Sequence, residues 1–359
     1  MAQTMRAALL TARGGPEVLQ VHDDVPVPEP GPVDALIRVS ACGVNNTDIN
    51  TRVGWYSRSV TSATDGDGFA EASEEDSAWG GGLEFPRIQG ADVCGEVVSC
   101  VSRPELVGHR VLVDPWIRDA DDPGDRSTAG YLGSELDGGF AEYCAVPARN
   151  VHPVDSPLSD EELATVACSW STAEHMLQRV RLTSGQSVAV TGASGGVGSA
   201  LVQLAAVRGA RVVAVTGASK ADTVRALGAD EIVLRGPDDV PGAAVEANNG
   251  RFDVVADVVG GDDAPGWFES LNRGGRYVTS GAIAGPIVEL DLRTLYLNDL
   301  ELYGATVFAP QVFADLVARI ESGAVRPVVG GVFPLDEIHA AQEAFGRKEH
   351  VGGLVISLR

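Results

Sequence analysis

Along the chain, short apolar runs broken by Gly and Pro give way near Ser159 to alternating strand-like and helix-like patterns. In the first stretch, residues 5–11, 33–41, 95–101 and 110–114 are rich in Val, Ile and Leu. Segments such as Val25-Pro26-Val27-Pro28-Glu29-Pro30-Gly31-Pro32 separate them, so they read as strands divided by turns. After Ser159 the periodicity changes. Residues 187–191 form a short apolar strand, and Val197, Ala200, Leu201, Leu204 and Ala205 then recur at helical spacing until Gly209. A second strand is predicted at 211–216, then a helix at 221–227 ended by Gly228. Strands at 231–234, 253–257, 276–280 and 301–306 complete a six-stranded, doubly wound parallel sheet. A helix at 312–322 and an apolar strand at 353–358 close the chain, the strand being expected to return to the β-rich first part.

Two stretches interrupt this pattern as surface insertions, residues 55–85 and the acidic loop 119–126. The first holds Asp65-Gly66-Asp67-Gly68, which opens like a calcium loop. Phe69 and Ala70 then stand where an oxygen ligand and a glycine are needed, so calcium is excluded there. A solvated loop is the expectation, with a lid over a substrate as the alternative.

Composition narrows the class. With 44% hydrophobic and 21% charged residues the chain reads as a globular protein. No apolar run approaches a membrane span, and Met1-Ala2-Gln3-Thr4-Met5-Arg6 lacks a signal peptide's apolar core, so a cytoplasmic protein without membrane contact is expected. A formal net charge of -23 repels phosphate backbones, which argues against nucleic-acid partners. Only Lys220 and Lys348 are lysines, a bias compatible with a saline habitat or a GC-rich genome. Cys42, Cys94, Cys100, Cys144 and Cys168 form no zinc spacing and no disulfide framework. The six histidines form neither an H-x-x-x-H nor an HExxH set.

The segment Gly192-Ala193-Ser194-Gly195-Gly196-Val197-Gly198 sits between the predicted strand and its helix, as a dinucleotide's pyrophosphate requires. Small residues let the backbone approach the phosphates, and the helix N-terminus supplies N–H groups and partial positive charge. Ser194, Gly195, Gly196 and Val197 are therefore candidate cofactor contacts. A short-chain dehydrogenase turn also matches the string, but neither lysine follows a Tyr at the required spacing. Cofactor choice turns on the end of the second strand. An NAD site usually places an acid there; this chain has Thr216-Gly217-Ala218-Ser219-Lys220. Thr216, Ser219 and Lys220 suit a 2′-phosphate, so NADPH is expected ahead of NADH, with an ordinary solvated Lys220 as the alternative.

Several segments together resemble the medium-chain dehydrogenase/reductase superfamily over essentially the whole chain. They are 41–48, Gln89-Gly90-Ala91-Asp92-Val93-Cys94-Gly95-Glu96-Val97-Val98, Asp137-Gly138-Gly139-Phe140-Ala141-Glu142-Tyr143, the Gly-rich turn and Arg276-Tyr277-Val278. The quinone oxidoreductase-like branch is the nearest in appearance. The resemblance implies an α/β protein with a GroES-like β-rich catalytic domain (1–155 with 311–359) and a Rossmann domain (156–310). It also implies an active site between the domains and a homodimer. Zinc-dependent relatives place a Cys at Asn45, a His-Glu pair at Ala91-Asp92 and a further Cys at Cys168, so one thiolate survives of three ligands and no metal is expected.

Without a Lewis acid, the expected substrates are small electrophilic acceptors such as quinones and enones, whose π systems spread the charge of an added hydride. The resemblance implies substrate contacts from Asn45, Asp48 and Tyr56, and a proton-relaying hydroxyl at Thr47 whose usual His partner is replaced by Asn50. Asp48 as a backbone-bonded structural carboxylate and Tyr56 as a loop aromatic stand as alternatives. The resemblance further places Thr172, Gly281, Ala282 and Ile283 at the nicotinamide half. The functions left open are an NADPH-dependent reductase, a zinc-dependent alcohol dehydrogenase with rebuilt ligands, and a non-catalytic NADPH-binding redox sensor.

Overall fold

A computed structural model describes residues 3–64, 83–236 and 239–359; the acidic Asp65–Asp76 stretch lies outside them. The chain divides into two compact units. The described residues of the first are 3–60, 83–168 and 309–359, and those of the second are 61–64, 169–236 and 239–308.

The first unit is built on the long strand Asp34–Val44, central to a seven-stranded sheet among the described residues. It pairs antiparallel with Asp92–Cys100 along one edge. On the other edge its first half takes Tyr143–Pro147 and its last residues take Gly353–Ser357. The final apolar run of the chain thus returns to the β-rich part, as its pattern predicts. Alternation along Asp34–Val39 buries every second side chain, whereas Ala41–Val44 is buried throughout. Ile37, Val97, Phe140 and Ile356 fill the core between this sheet and the strands Thr4–Leu10 and Leu19–Pro26.

The domain boundary expected at 155/156 precedes the division between the two units, after Cys168, by about a dozen residues. Arg110 holds the carbonyls of Ser156 and Leu158, and a Ser159–Glu162 capping box starts the helix Asp160–Leu163 beside the first unit's strands. Residues 156–168 therefore fold with the first unit.

In the second unit six parallel strands run in the order Glu231–Leu234, Arg211–Thr216, Ser187–Val190, Phe252–Asp257, Leu271–Thr279 and Glu301–Gly304. Val188, Ala189 and Val190 are fully buried, as expected of a parallel strand covered on both faces. Strand order reverses between Ser187–Val190 and Phe252–Asp257, and a ligand crevice forms beyond the carboxyl ends of strands at such a point. The fifth strand starts earlier than its apolar run. Leu271 pairs with Phe252, and a bulge at left-handed Gly274 then delays regular pairing until Arg276. Among the described residues no helix is long and apolar enough to cross a membrane.

Candidate active site

The Gly-rich turn lies at the reversal of strand order, between Ser187–Val190 and the helix Gly196–Val207. Gly192 is left-handed at φ +56, which turns the chain sharply off the strand. A Cβ at Gly198 would lie 2.1 Å from the Gly192 carbonyl, so only glycine lets the helix start this close to the turn. At Gly195, the N-cap, the nearest neighbour of such a Cβ would be 3.6 Å away. That side of the turn is open, and the first N–H groups of the helix have no acceptor within it. Ser194, Gly196 and Val197 are half-buried around this opening.

The other expected cofactor residues gather at the same sheet edge. Thr216 ends the second strand almost fully buried, its hydroxyl without a hydrogen-bond partner. Ser219 is exposed and Lys220 half-buried in the short turn Ala218–Lys220 that follows. Gly281, Ala282 and Ile283 lie half-buried in the loop after the fifth strand. That loop is joined to the one after the fourth, where Ala284 N–H donates to the Val259 carbonyl at 2.8 Å and Gly261 N–H to Gly285 at 3.1 Å. Thr64, within the insertion 55–85, donates its N–H to the Ile283 carbonyl at 3.0 Å. Thr172 is half-buried on the helix Ser171–Arg179. An Asp257 hub beneath these loops is absent from the sequence-based reading, which treated the residue only as the end of a strand.

In the first unit the candidate catalytic residues Thr47 and Asp48 lie on the helix Asn46–Val53, Asn45 is its N-cap, and Tyr56 follows in the turn after it. Asp48 accepts the Asn45 N–H at 2.7 Å, the return arm of a capping box, which is the kind of backbone bond the structural alternative for this carboxylate names. The Asn-x-x-Asp spacing carries that signal. The Asn45 side-chain amide donates to Asp92 at 2.7 Å, and the other Asp92 oxygen accepts the Cys168 backbone N–H. Cys168 stands in a π-helical turn, Val166–Trp170, and the Tyr131 hydroxyl hydrogen-bonds to its thiol. The half-buried Tyr56 hydroxyl hydrogen-bonds with Thr47 and Asn50.

Burial controls the titration of this cluster. It pushes Asp48 up to about 7, opposed by the Asn45 N–H, and Asp92 up to about 6, opposed by the Asn45 amide. Loss of water raises Tyr56 to about 12 and holds the Cys168 thiol well above its usual range. These groups are thus neutral phenols and thiols beside two carboxyls that ionise near neutrality. Among the described residues no group of three or more His, Cys, Asp or Glu is placed to hold a metal ion. Sequence reading missed the links joining Asn45, Asp92, Cys168 and Tyr131, because the first three are 47 and 76 residues apart and nothing local joins them.

Residues 31–156 match the model of the alcohol dehydrogenase GroES-like domain, and residues 196–322 that of the zinc-binding dehydrogenase family. A quinone oxidoreductase from Mus musculus is 30% identical over 94% of this chain and 93% of its own. A solved structure from Sinorhizobium meliloti 1021, provisionally assigned as an alcohol dehydrogenase, is 45% identical with a TM-score of 0.90, covering 99% of this chain and 97% of its own. A mycobacterial structure complexed with NADPH is 27% identical with a TM-score of 0.78, over 98% of this chain and 99% of its own. The matched domains, the strand order and the glycine turn make this chain an oxidoreductase of the medium-chain dehydrogenase/reductase superfamily, in its quinone oxidoreductase-like branch.

Proposed function

We propose that the protein is an NADPH-dependent, zinc-independent reductase that transfers hydride to a quinone, an enone or another activated carbonyl. The observation that carries this reading is the bonding at the positions where zinc-dependent relatives hold the metal. Asn45 offers an amide already donating to Asp92, Ala91 offers no donor atom, and only Cys168 retains a thiol. A catalytic zinc needs three protein ligands and an exchangeable water, which this donor set does not supply.

The second unit fits a nicotinamide dinucleotide on two observations. The turn at Gly192–Gly198 is a cradle open on the side of Gly195, where a Cβ would project with no neighbour nearer than 3.6 Å, and the buried Thr216 hydroxyl lacks a partner at the end of the second strand. When bound, NADPH supplies the hydride. Ser194, Gly195, Gly196 and Val197 hold the pyrophosphate through N–H groups at the helix N-terminus. Lys220 and Ser219, beyond Thr216, take the 2′-phosphate, and the mycobacterial relative's complex with NADPH supports that choice over NADH. Thr172, Gly281, Ala282 and Ile283 position the nicotinamide half.

The substrate side belongs to the segment Asn45–Tyr56. A quinone or enone spreads the incoming charge onto its oxygen, and the chain's share is to orient it and donate hydrogen bonds to that oxygen. Tyr56 and Thr47, joined by a hydrogen bond, are the donors, and the neutral Tyr56 phenol can release a proton to the developing oxyanion. Asp48 sets the start of the helix that carries Thr47, and Tyr56 follows just beyond that helix's end. The enzyme works in the cytoplasm as a homodimer, without nucleic-acid or membrane partners.

The test is NADPH consumption by purified protein of known metal content, against a panel of quinones and enones. Turnover without stoichiometric metal supports the reading. Stoichiometric zinc with alcohol oxidation overturns it in favour of a rebuilt zinc enzyme, and tight NADPH binding without any turnover in favour of a redox sensor.

A further inference from the structure

Asp92 is a carboxylate only 2% exposed, and the proposed chemistry leaves it without a task. Its two oxygens are both used. One takes the Asn45 side-chain amide at 2.7 Å, and the other takes the backbone N–H of Cys168 in the π-helical turn. The N–H of Ala167 also acts on it. One side chain thus ties the strand Asp92–Cys100 to the N-cap of the helix carrying Thr47 and Asp48, and to the turn carrying Cys168. π-Helical turns within helical segments are often found at functional sites.

A buried carboxylate is expensive to keep unless its hydrogen bonds are needed. Here no arginine or lysine is among the groups that act on it. The titratable groups facing it are Asp48 on the helix, Cys42 on the strand Asp34–Val44, Cys168 on the π-helical turn and Tyr131 on the strand Gly130–Tyr131. All are acids or thiols. Asp92 raises the affinity of Asp48 for a proton, and burial, opposed by its hydrogen bonds, brings Asp92 itself to about 6.

We propose that Asp92 is a positioning residue of the active site, which acts by fixing the Asn45 side-chain amide and the π-helical turn in one orientation. The proposal rests on the reading of Asn45 as a substrate-side group. A charged Asp92 holds two donors at once. Protonation leaves one of its oxygens a donor and weakens the clamp, so the orientation of Asn45 follows the ionisation of Asp92. The two donors address different oxygens of Asp92, so an asparagine at position 92 turns its own NH2 donor towards one of them and loses that bond.

Two measurements on the full-length protein test this. The first is a double-mutant cycle of Asp92→Asn and Asn45→Ala on kcat for the best quinone or enone acceptor. Asp92→Asn is expected to lower kcat about tenfold, to leave NADPH affinity within about twofold, and to have under about twofold effect when Asn45 is already alanine. Full activity of Asp92→Asn, or an equal loss in both backgrounds, overturns the proposal. If Asp92→Asn does not fold, Asp92→Glu takes its place in the cycle. The second measurement needs no turnover. The Asn45 side-chain amide signal in 15N NMR, identified by its loss in Asn45→Ala, is expected to titrate with a midpoint of about 6 and to lose that step in Asp92→Asn, where only the Asp48 titration at about 7 remains. A signal indifferent to pH in the unaltered protein overturns the proposal. An unaltered protein inactive on every acceptor overturns the reductase reading instead, and the amide titration still decides the role of Asp92.

Discussion

Thr191 donates its hydroxyl to Asp257 at 2.5 Å, joining the ends of the two parallel strands that flank the reversal of strand order. The same Thr191 oxygen accepts the Val258 N–H at 3.0 Å. Asp257 is fully buried and also receives the N–H groups of Val259 and Gly260, at 2.8 and 3.1 Å, and the Tyr277 hydroxyl at 2.5 Å. One carboxylate therefore fixes the glycine turn's entry, the loop after the fourth strand and the fifth strand together. Each hydrogen bond to a charged group contributes about 1.5–3 kcal/mol, and buried donors left unpaired add to the loss. Asp257→Ala is expected to lower stability by about 3 kcal/mol or more in urea unfolding, and Thr191→Val by about 1 kcal/mol. Unchanged midpoints in both variants would show that the hub is not structural.

The glycines of the turn separate two roles that a motif merges. At Gly198 a methyl group meets the Gly192 carbonyl at 2.1 Å, a backbone clash that no rotamer relieves. At Gly195 it meets nothing closer than 3.6 Å, and the backbone there is extended. Gly198→Ala is expected to lose about 2 kcal/mol of stability together with NADPH binding. Gly195→Ala is expected to stay within about 0.5 kcal/mol of the parent in stability while binding NADPH about tenfold more weakly, because its methyl projects on the open side of the cradle. Denaturation curves and fluorescence titration with NADPH distinguish the two. Equal affinity of Gly195→Ala and the parent would place the phosphates elsewhere.

Much of this was legible in the sequence where local pattern determines structure. The strand, glycine turn and helix at residues 187–207 follow from apolar spacing, and so does the order of strands after it. The capping role of Asp48 was also readable, since Asn45 precedes it by three residues as in other helix starts. The clamp on Asp92 was not. Its partners come from a helix cap, a π-helical turn and a short strand that only the folded sheet brings together, and no periodicity encodes such meetings. Leu271 was missed for a related reason: a glycine bulge hides the strand's start from a period-two pattern.

In the proposed reading, cofactor choice turns on Lys220. It is half-buried just beyond the second strand, where no acid stands to bind ribose hydroxyls. A charge-assisted hydrogen bond to a 2′-phosphate corresponds to about 10–100-fold in affinity, whereas NADH has no phosphate to lose. Lys220→Ala is expected to weaken NADPH by about that factor and NADH by less than about twofold. Dissociation constants for both nucleotides with both proteins give the answer. An unchanged NADPH-to-NADH ratio would defeat the phosphate assignment.

Asp48 gives a pH dependence whose sign can be worked out. Its folded-state value of about 7 lies above the ordinary carboxylate range because burial disfavours the charge. The folded state therefore binds the proton more tightly than the unfolded chain. The stabilisation from this group is complete below about pH 4 and is lost as pH rises towards 7. Asp48→Asn carries no titrating group and keeps an acceptor for the Asn45 N–H. Its stability relative to the parent is expected to rise between pH 4 and pH 7 and to level off above, by thermal unfolding at matched ionic strength. A constant difference across that range would mean that the folded and unfolded chains bind this proton equally and that burial does not shift Asp48.

The last prediction concerns the surface of the second unit. Ile287, Leu292, Tyr296 and Leu297 are 70, 66, 61 and 55% exposed within a short span. Next to them in sequence, Glu301–Gly304 is an edge strand of the six-stranded sheet, with Leu302 exposed upon it. An uncovered edge beside exposed apolar side chains invites pairing with another chain. A second copy related by a two-fold axis satisfies both, since antiparallel pairing of the same strand is self-complementary. The protein is accordingly expected to elute as a dimer in light-scattering chromatography. Leu292→Glu combined with Tyr296→Glu is expected to give a folded monomer that keeps NADPH binding, because both side chains are exposed in the single chain and contribute nothing to its core. A parent protein that is monomeric at micromolar concentration, or a double variant that remains dimeric, would move the interface away from this face.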